Sequence, residues 1–250
     1  MRRVLIVLAA SLCAGCVTTE QVSFVPKADQ KAIVRDGNPA IVSTKKNSIV
    51  IVRPASRQFQ IGSRPVFVVA MYNRTGTPQD FRTGQVQAVE VVNDETVPIK
   101  VISYEQLVQE EKNRQVVAAI AVGLAAGANA YSASRAGYYN STSTLYTPRG
   151  TYQVNTVGYS PTAAAIAQTN ASFQNDAMIS NTIEQGQRNL SVLERSAIKD
   201  NTLLPGEWYG GQLHLGVLAS DKSTKRYSIT VYIGSDRHEI AVSQGPQANS

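Results

Sequence analysis

Two blocks of short β-type runs are separated by a long stretch of helical pattern, and this interruption constrains the fold more than any other feature. Neither block is large enough to form a stable sandwich alone, but together they match the roughly seven strands and 100 residues of an immunoglobulin-like domain. The sequence therefore predicts an α+β protein, an immunoglobulin-like antiparallel β-sandwich of about seven strands interrupted by an inserted α-helical hairpin. The runs, which are rich in β-branched and aromatic residues, cover 48–53, 64–73, 84–92 and 96–103 in the first block (47–103), and 211–219, 226–233 and 237–243 in the second (200–244).

The interrupting segment, residues 104–199, is predicted to form two helices. The first covers 104–135 and contains the apolar run 116–130, and the second begins at Pro161, a favoured first-turn residue, with Ser160 as its cap. At ~1.5 Å per residue these helices are ~45–60 Å long, which favours an antiparallel hairpin projecting from the sandwich. Apolar residues of the second helix recur at helical spacing and predict a stripe packed on a partner: Ile166, Phe173, Ala177, Ile183, Leu190, Leu193 and Ala197.

Three small residues on the first helix, Ala119, Gly123 and Gly127, are spaced by four. Small residues at this spacing allow two helix backbones to approach closely, as in membrane helix pairs. Because glycine costs a helix about 1 kcal/mol relative to alanine, two glycines within one helix indicate a close contact. The contact lies between the two arms of the hairpin, between protomers, or with a membrane.

The outer part of the hairpin lacks acidic residues. No Asp or Glu occurs between Lys112 and Asn175, while Lys112, Arg114, Arg135 and Arg149 supply positive charge. This segment could therefore lie against anionic head groups without repulsion. The alternative is that a segment rich in Ala, Ser, Thr and Asn has few charges of any kind.

The tip of the hairpin, residues 131–160, is rich in tyrosine among small polar residues. Tyrosine offers a large rigid surface with a polar end, which suits protein recognition or a membrane–water interface. Pro148, Arg149 and Gly150 could turn a β-hairpin with arms of about 10 residues, although its alternation is too irregular for a membrane barrel. A flexible loop is the alternative. The tip contains Tyr131, Tyr138, Tyr139, Tyr146, Tyr152 and Tyr159, six of the eleven tyrosines.

The chain begins with two arginines, an apolar run from Val4 to Leu12, and small residues before Cys16. A basic start, an apolar stretch of about 7–15 residues and small residues at the cleavage site define a secretory signal. The ending Ala14-Gly15-Cys16 resembles the lipobox of bacterial lipoproteins, although Cys13 stands where that family usually has Leu. A plain cleaved signal or an uncleaved N-terminal anchor are the alternatives.

The resemblance implies that residues 1–15 are removed and that Cys16 carries diacylglycerol and an N-acyl chain, which anchor the protein to a membrane. In Gram-negative members of that family an Asp after the cysteine favours the inner membrane. Val17 stands there in this chain. For a Gram-negative host, the resemblance therefore implies the outer membrane, with the protein facing the periplasm.

Composition restricts what the body of the chain can do. Both cysteines lie in the N-terminal segment, so the mature chain has no intramolecular disulfide. The net charge of +6 falls to about +4 without Arg2 and Arg3, and no basic cluster of the kind that binds nucleic acid occurs. Residues 16–46 lack sustained periodicity and predict a flexible tether, and 245–250 predict a disordered tail.

No motif for catalysis or metal binding is present. His214 and His238, the only histidines, lack metal-ligand spacing, and no G-x-S-x-G sequence occurs. Strand alternation places His238 towards the core and His214 towards solvent. We expect no cofactor other than the lipid and no enzymatic activity, and we expect a partner or self-association through 104–199. The sequence favours a structural or adaptor subunit of an envelope assembly, ahead of a pore-forming or membrane-inserting oligomer and of a ligand-binding module or enzyme.

Overall fold

A computed structural model describes residues 19–35, 37–220 and 224–246 of the chain. The signal segment, residues 1–15, and the predicted lipidation site Cys16 lie outside these residues. The chain divides into a β unit, formed by the segments before Tyr104 and after Ser196, and a hairpin unit, Tyr104–Ser196.

Strands dominate the β unit, and the hairpin unit contains two long helices and two strands. The strands of the β unit are β1 (Thr19–Val25), β2 (Gln30–Arg35), β3 (Asn38–Thr44), β4 (Ser48–Pro54), β5 (Phe59–Gln60), β6 (Val66–Asn73), β7 (Gln79–Phe81), β8 (Gln87–Val92), β9 (Glu95–Ile99) and β10 (Val101–Ile102), and, after the hairpin unit, β13 (Asn201–Leu203), β14 (Trp208–Leu215), β15 (Lys225–Ile233) and β16 (Asp236–Pro246). The hairpin unit contains α1 (Tyr104–Arg135), β11 (Tyr138–Thr147), β12 (Gly150–Tyr159) and α2 (Pro161–Ser196).

The β unit is built from two antiparallel sheets of six strands each. Their strand orders are β5-β1-β16-β15-β8-β9 and β10-β14-β6-β4-β3-β2, and β7 pairs separately with β13. Alternate residues point inward, so that Val50 and Val52 of β4 share one apolar core with Ile229 and Val231 of β15. Phe67 lies in this core, with its ring centroid 6.2 Å from that of Tyr227 on the other sheet. The described part is thus an α+β protein with more strands than the seven predicted.

The prediction that residues 16–46 form a flexible tether is wrong for residues 19–44. β1 pairs with β16, and β2 and β3 extend the second sheet beyond β4. Val22 and Ile41 are buried in the core. These strands alternate too briefly to be recognised, because Pro26 and Gly37 interrupt them and the partner of β1 lies far away in the sequence.

The predicted disordered tail, 245–250, is partly structured. β16 continues to Pro246, and Gly245 and Pro246 are paired with Gln21 and Glu20 of β1. Pairing with β1 is a tertiary contact that the local sequence does not encode. Residues 247–250 lie outside the described part of the chain.

The predicted helical hairpin is confirmed. α1 and α2 run antiparallel, because Glu111 near the start of α1 contacts Asn189 near the end of α2, and Asn129 contacts Asn175. In the β unit, the segments that lead into and out of the hairpin both lie beside β14, where Ile102 pairs with His214 and Ala197 bridges to Gln212.

Candidate interaction surface

The seam on which α1 and α2 meet is built mainly from small and polar side chains, with Leu107 and Leu193 at the end near the start of α1. Its residues recur every three or four positions on each helix, as expected for two helices in contact. Because few of them are large, the two backbones can lie close together. The seam residues, buried or half-buried, are Leu107, Glu111, Gln115, Ala118, Val122, Ala126, Asn129 and Ala133 of α1, and Ala164, Ala167, Ala171, Asn175, Met178, Thr182, Gly186, Asn189 and Leu193 of α2.

Hydrogen bonds tie this seam at both ends. Asn129 Nδ2 donates to Asn175 Oδ1 at 2.9 Å, and Asn175 Nδ2 donates to the carbonyl of Ala126 at 3.3 Å. Nearer the β unit in sequence, Asn189 Nδ2 donates to Glu111 Oε1 at 2.9 Å. Paired amides that satisfy each other fix the register of the two helices without demanding a large apolar core.

Glu111 is the buried charge of the hairpin unit. Burial alone raises the pKa of its carboxyl, but hydrogen bonds from Asn189 and Gln115 and the positive charge of Arg114 outweigh burial and hold the pKa below its usual value. The cleft beside it has a volume of about 720 Å³ and is lined by Arg114, Gln115 and Arg188 among others. Among the residues that line this cleft Glu111 is the one acidic group, and it is already paired with Arg114.

Five large apolar or aromatic residues of α1 lie on the side of the helix away from the seam, whereas Leu107 is buried and Val122 lies in the seam. Val116, Val117, Ile120, Leu124 and Tyr131 are each between 59% and 73% exposed. Contiguous exposed apolar patches are typical of sites of association or membrane contact. We call these five residues the outer face of α1.

Several large apolar residues of α2 are likewise exposed. Ile166, Phe173 and Ile183, which the spacing predicts to pack on a partner, are exposed, Phe173 by 70%. The part of the predicted stripe from Ile166 to Ile183 is therefore not the face that α1 covers, because the small residues of the seam occupy that position, whereas Leu190 and Leu193 are half-buried. Ala197, the last residue of the predicted stripe, lies beyond α2 and is buried in the β unit.

The three small residues singled out by spacing, Ala119, Gly123 and Gly127, are all exposed on α1. A Cβ added at Gly123 or Gly127 would meet no atom within 4 Å. These glycines therefore do not serve the packing of α1 on α2 within one chain. Gly186 of α2 does serve it, because a Cβ there would come within 2.7 Å of the Gln115 side chain.

The tip of the hairpin is a regular two-stranded ribbon. β11 and β12 pair antiparallel from Tyr138–Tyr159 to Thr147–Gly150 without interruption. Their ten-residue lengths agree with the arms predicted for a β-hairpin around Pro148 and Arg149. The alternative of a flexible loop does not hold for these residues.

The structure places the predicted tyrosines on exposed surfaces of α1 and the ribbon. Tyr138 and Tyr159 stack with ring centroids 5.0 Å apart, and the Tyr139 ring lies over Gly158, where an added Cβ would meet it at 2.4 Å. Arg135 lies over the Tyr131 ring at 5.1 Å. Tyr146 and Tyr152 lie near the turn and are exposed.

Both faces of the ribbon mix polar and apolar side chains. Because side chains alternate along strands, one face pairs Asn140 with Val157 and Thr142 with Asn155. The other face brings Leu145 next to Tyr152 and Ser143 next to Val154.

A serine–histidine pair of the kind used in nucleophilic catalysis lies in the β unit, but it is closed to substrate. Ser48 Oγ is 2.8 Å from His238 Nε2, and Ser43 Oγ is 3.0 Å from His238 Nδ1. Asp236 accepts a hydrogen bond from Ser48 at 2.7 Å and does not orient the histidine. His238, Ser43 and Ser48 have no exposed surface, so the arrangement holds β3, β4 and β16 together.

His238 thus lies in the core, as its alternation predicts, whereas His214 is half-buried rather than facing solvent. His214 lies on β14 and pairs with Ile102 of β10. The sequence predicts β10 only as part of a longer run, so this pairing is not visible in the local pattern.

A second buried polar cluster joins β1, β15 and β16. Lys225 forms an ion pair with Glu20, whose other oxygen accepts a hydrogen bond from Gln244 Nε2 at 2.7 Å. Tyr227 donates to Gln244 Oε1 at 2.7 Å, and burial together with the charges of Glu20 and Glu90 raises the pKa of its phenol. Sequence reasoning missed this cluster, because the prediction of a tether left no partner for Lys225.

Within the described residues, no group of three or more His, Cys, Asp and Glu side chains could hold a metal ion. In the same part of the chain, α1 is the one helix long and apolar enough to cross a membrane, judged by length and composition alone. Its most apolar 18-residue window has a mean hydropathy of 1.6, and 6% of that window is buried.

Comparisons of the chain with models of known protein families, with curated proteins and with solved structures found no match.

Proposed function

We propose that this protein is a non-enzymatic, lipid-anchored structural or adaptor subunit of a cell-envelope assembly, and that the hairpin unit is its contact surface. The observation that carries the proposal is the inverted distribution of side chains on the hairpin. Mainly small and polar residues fill the seam between α1 and α2, while Ile120, Leu124 and Phe173 face outward. Each such side chain contributes about 1.5–3 kcal/mol when it is fully buried, so association through this surface is favoured.

The anchor in this proposal is Cys16, with its diacylglycerol and N-acyl chain. The proposal places the protein on the periplasmic side of the outer membrane of a Gram-negative host. Its support is the N-terminal sequence alone: a basic start, a short apolar run and Ala14-Gly15-Cys16. Changing Cys16 to Ser is expected to abolish lipid labelling and leave the precursor uncleaved. Continued lipid labelling of this variant would refute the assignment.

The contact surface is tested by the native mass of the detergent-extracted protein. Replacing Ile120 and Leu124 with Glu is expected to reduce the mass to that of a monomer, because charge on the outer face of α1 opposes burial. The matched control is Ile61→Glu, an apolar-to-acidic change at an exposed site of the β unit. Dissociation by the control, or an unchanged mass in the double variant, would contradict the proposal.

A second candidate is a membrane-inserting oligomer, favoured by the apolar and largely unburied window of α1. The absence of acidic residues between Lys112 and Asn175 supports it as well. Protein reconstituted into phosphatidylglycerol-containing vesicles would release a trapped dye, and the Ile120→Glu, Leu124→Glu variant would not. Equal release by both proteins would remove this candidate.

For the β unit we further propose an immunoglobulin-like connection of strands. Two antiparallel sheets packed around one apolar core support it. A comparison of an experimentally determined structure with known sandwiches would test it.

A further inference from the structure

We propose that β11 of one copy of this protein pairs with β12 of the next copy, so that the ribbons of several copies join into one continuous antiparallel sheet. The inference rests on the proposed function, since it specifies the partner that the hairpin unit contacts. The partner is a second copy of the same chain, and the contact is made by the main chain of the ribbon edges.

Both edges of the ribbon are open. Within the part of the chain that the structure describes, β11 and β12 pair with each other alone. Ten paired residues on each strand leave a row of main-chain donors and acceptors on both outer edges. A two-stranded ribbon is at best marginally stable by itself in water, whereas three or more strands reinforce one another.

The two edges of the ribbon also lack the features that normally prevent edge pairing. Natural edge strands are shortened, bulged, or protected by charged residues and proline. β11 and β12 contain no charged residue and no proline, and their register is continuous over ten residues. The one nearby charge, Arg149, lies in the turn rather than on a strand.

The composition of the ribbon fits a second copy as the partner. Pairing of β11 with β12 of the next copy brings the side chains of these two strands together, which is unfavourable wherever they carry like charges. On both strands they are mainly Thr, Ser, Asn, Gln and Tyr with some Val and Leu, which can hydrogen-bond or pack across the strands. A second copy also supplies an edge of equal length.

Symmetry distinguishes two ways of pairing the ribbons of several copies. Pairing of β11 with β11 of a two-fold partner would satisfy one edge of each copy and leave both β12 edges open. Pairing of β12 with the next copy's β11 is head-to-tail and satisfies both edges of every copy when the ring closes. Because β11 and β12 run in opposite directions, this arrangement is antiparallel throughout.

Disulfide cross-linking between two differently tagged copies in cells tests the pairing. One copy carries Thr142→Cys on β11. The other carries a single cysteine on β12, introduced in turn at each position from 151 to 157. We expect disulfide-linked heterodimers that peak at one β12 position and fall several-fold at the adjacent positions, whose side chains point to the opposite face.

Two controls accompany the experiment. The parent chain without an introduced cysteine reports any cross-linking through Cys16. A chain that carries Thr142→Cys and Asn155→Cys together is expected to form an internal disulfide, because these residues pair within the ribbon and Thr142 Oγ1 donates to Asn155 Oδ1 at 2.8 Å. This variant establishes that the ribbon is formed in the cell.

Homodimers of the Thr142→Cys copy alone would indicate two-fold pairing and overturn the head-to-tail arrangement. No intermolecular disulfide at any β12 position, with the internal disulfide present, would overturn edge pairing altogether. If in that case Ile120→Glu with Leu124→Glu still lowers the native mass, the proposed function survives without this inference. If the mass is unchanged as well, both are wrong.

Discussion

His238 is a buried titratable group whose environment makes the stability of the β unit depend on pH. Burial lowers its pKa to about 4, the nearby Asp236 opposes this shift, and Lys45 adds to it. In the unfolded chain the pKa of histidine is about 6.5. Between these values the unfolded state binds a proton that the folded state does not. The free energy of unfolding therefore falls as the pH drops through this window, and the contribution is complete above pH 6.5.

We expect a loss of about 2 kcal/mol between pH 7 and pH 5 from this group, measured by urea denaturation. His238→Gln removes the titration, so its stability is expected to be lower at pH 7 but to change less over the same range. His214 is present in both proteins and cancels in the comparison. Equal pH dependence in the two proteins would show that His238 is not the responsible group.

Removing the charge of Lys225 is expected to destabilise the β unit, because its partner Glu20 is buried. Lys225→Met leaves the Glu20 carboxylate buried without its cation, which costs about 3–5 kcal/mol when a buried pair is broken. Adding Glu20→Gln removes the unpaired charge and keeps an acceptor for Gln244, so the double variant is expected to recover much of the loss. Thermal unfolding of the two variants measures the difference. A double variant less stable than Lys225→Met would contradict this explanation.

Within the hairpin, larger side chains are expected to have opposite effects on the exposed side of α1 and in the seam. Gly123 and Gly127 have open space around them, so changing both to Leu is expected to leave the hairpin folded and to stabilise α1, since glycine is a poor helix former. Ala171, by contrast, lies buried in the seam, and Ala171→Leu is expected to destabilise the hairpin by about 1–3 kcal/mol through overpacking. Circular dichroism during thermal unfolding distinguishes the two effects.

The same glycine variant tests whether the outer side of α1 is used between copies. If helices of neighbouring copies approach closely at Gly123 and Gly127, two leucines hold them apart and the native mass of the extracted protein falls. Ala165→Leu, at an exposed position of α2, adds the same side chain as a control. An unchanged mass in the glycine variant would reject that role for the two residues.

The elements that could be predicted from the sequence are those specified by local pattern. α1 and β15 have nearly the predicted bounds, because each has a periodicity that needs no partner to be recognised. β1 and β3 could not be predicted, because they are held in place by pairing with β16 and β4 rather than by a recognisable local pattern. The polar clusters around Glu20 and Ser48 join strands that are distant in sequence, so no local sequence pattern predicts them.

The candidate site was predictable in composition but not in orientation. Tyrosine enrichment and the absence of acidic residues are properties of the sequence, and they point to the outer hairpin. Which helix face is buried depends on competition between two faces. In α2 the small residues at Ala164 and Ala171 lie in the seam, whereas the larger Ile166 and Phe173 stay exposed. The assumption that the largest apolar residues are buried therefore predicts the wrong face of α2 in this part of the helix.

For the whole molecule, the insertion of the hairpin unit into the β unit has a consequence that can be measured. In the β unit, Ile102 and Ala197 lie beside the same strand, β14, opposite His214 and Gln212. The chain therefore leaves the β unit and returns to it at neighbouring positions. Short linkers close such gaps at small entropic cost.

Replacing residues 104–196 with a short Gly/Ser linker is thus expected to leave the β unit folded, with its own core and with the polar clusters around His238 and Lys225 intact. The variant would keep lipid attachment through Cys16 and would be extracted as a monomer, because the outer face of α1 and the ribbon are gone. Native mass and cooperative thermal unfolding measure both outcomes.

An assembly of unchanged size would place the contact surface on the β unit, since that is the described part of the chain left in the variant. Loss of cooperative unfolding would instead show that the β unit depends on the hairpin for its stability.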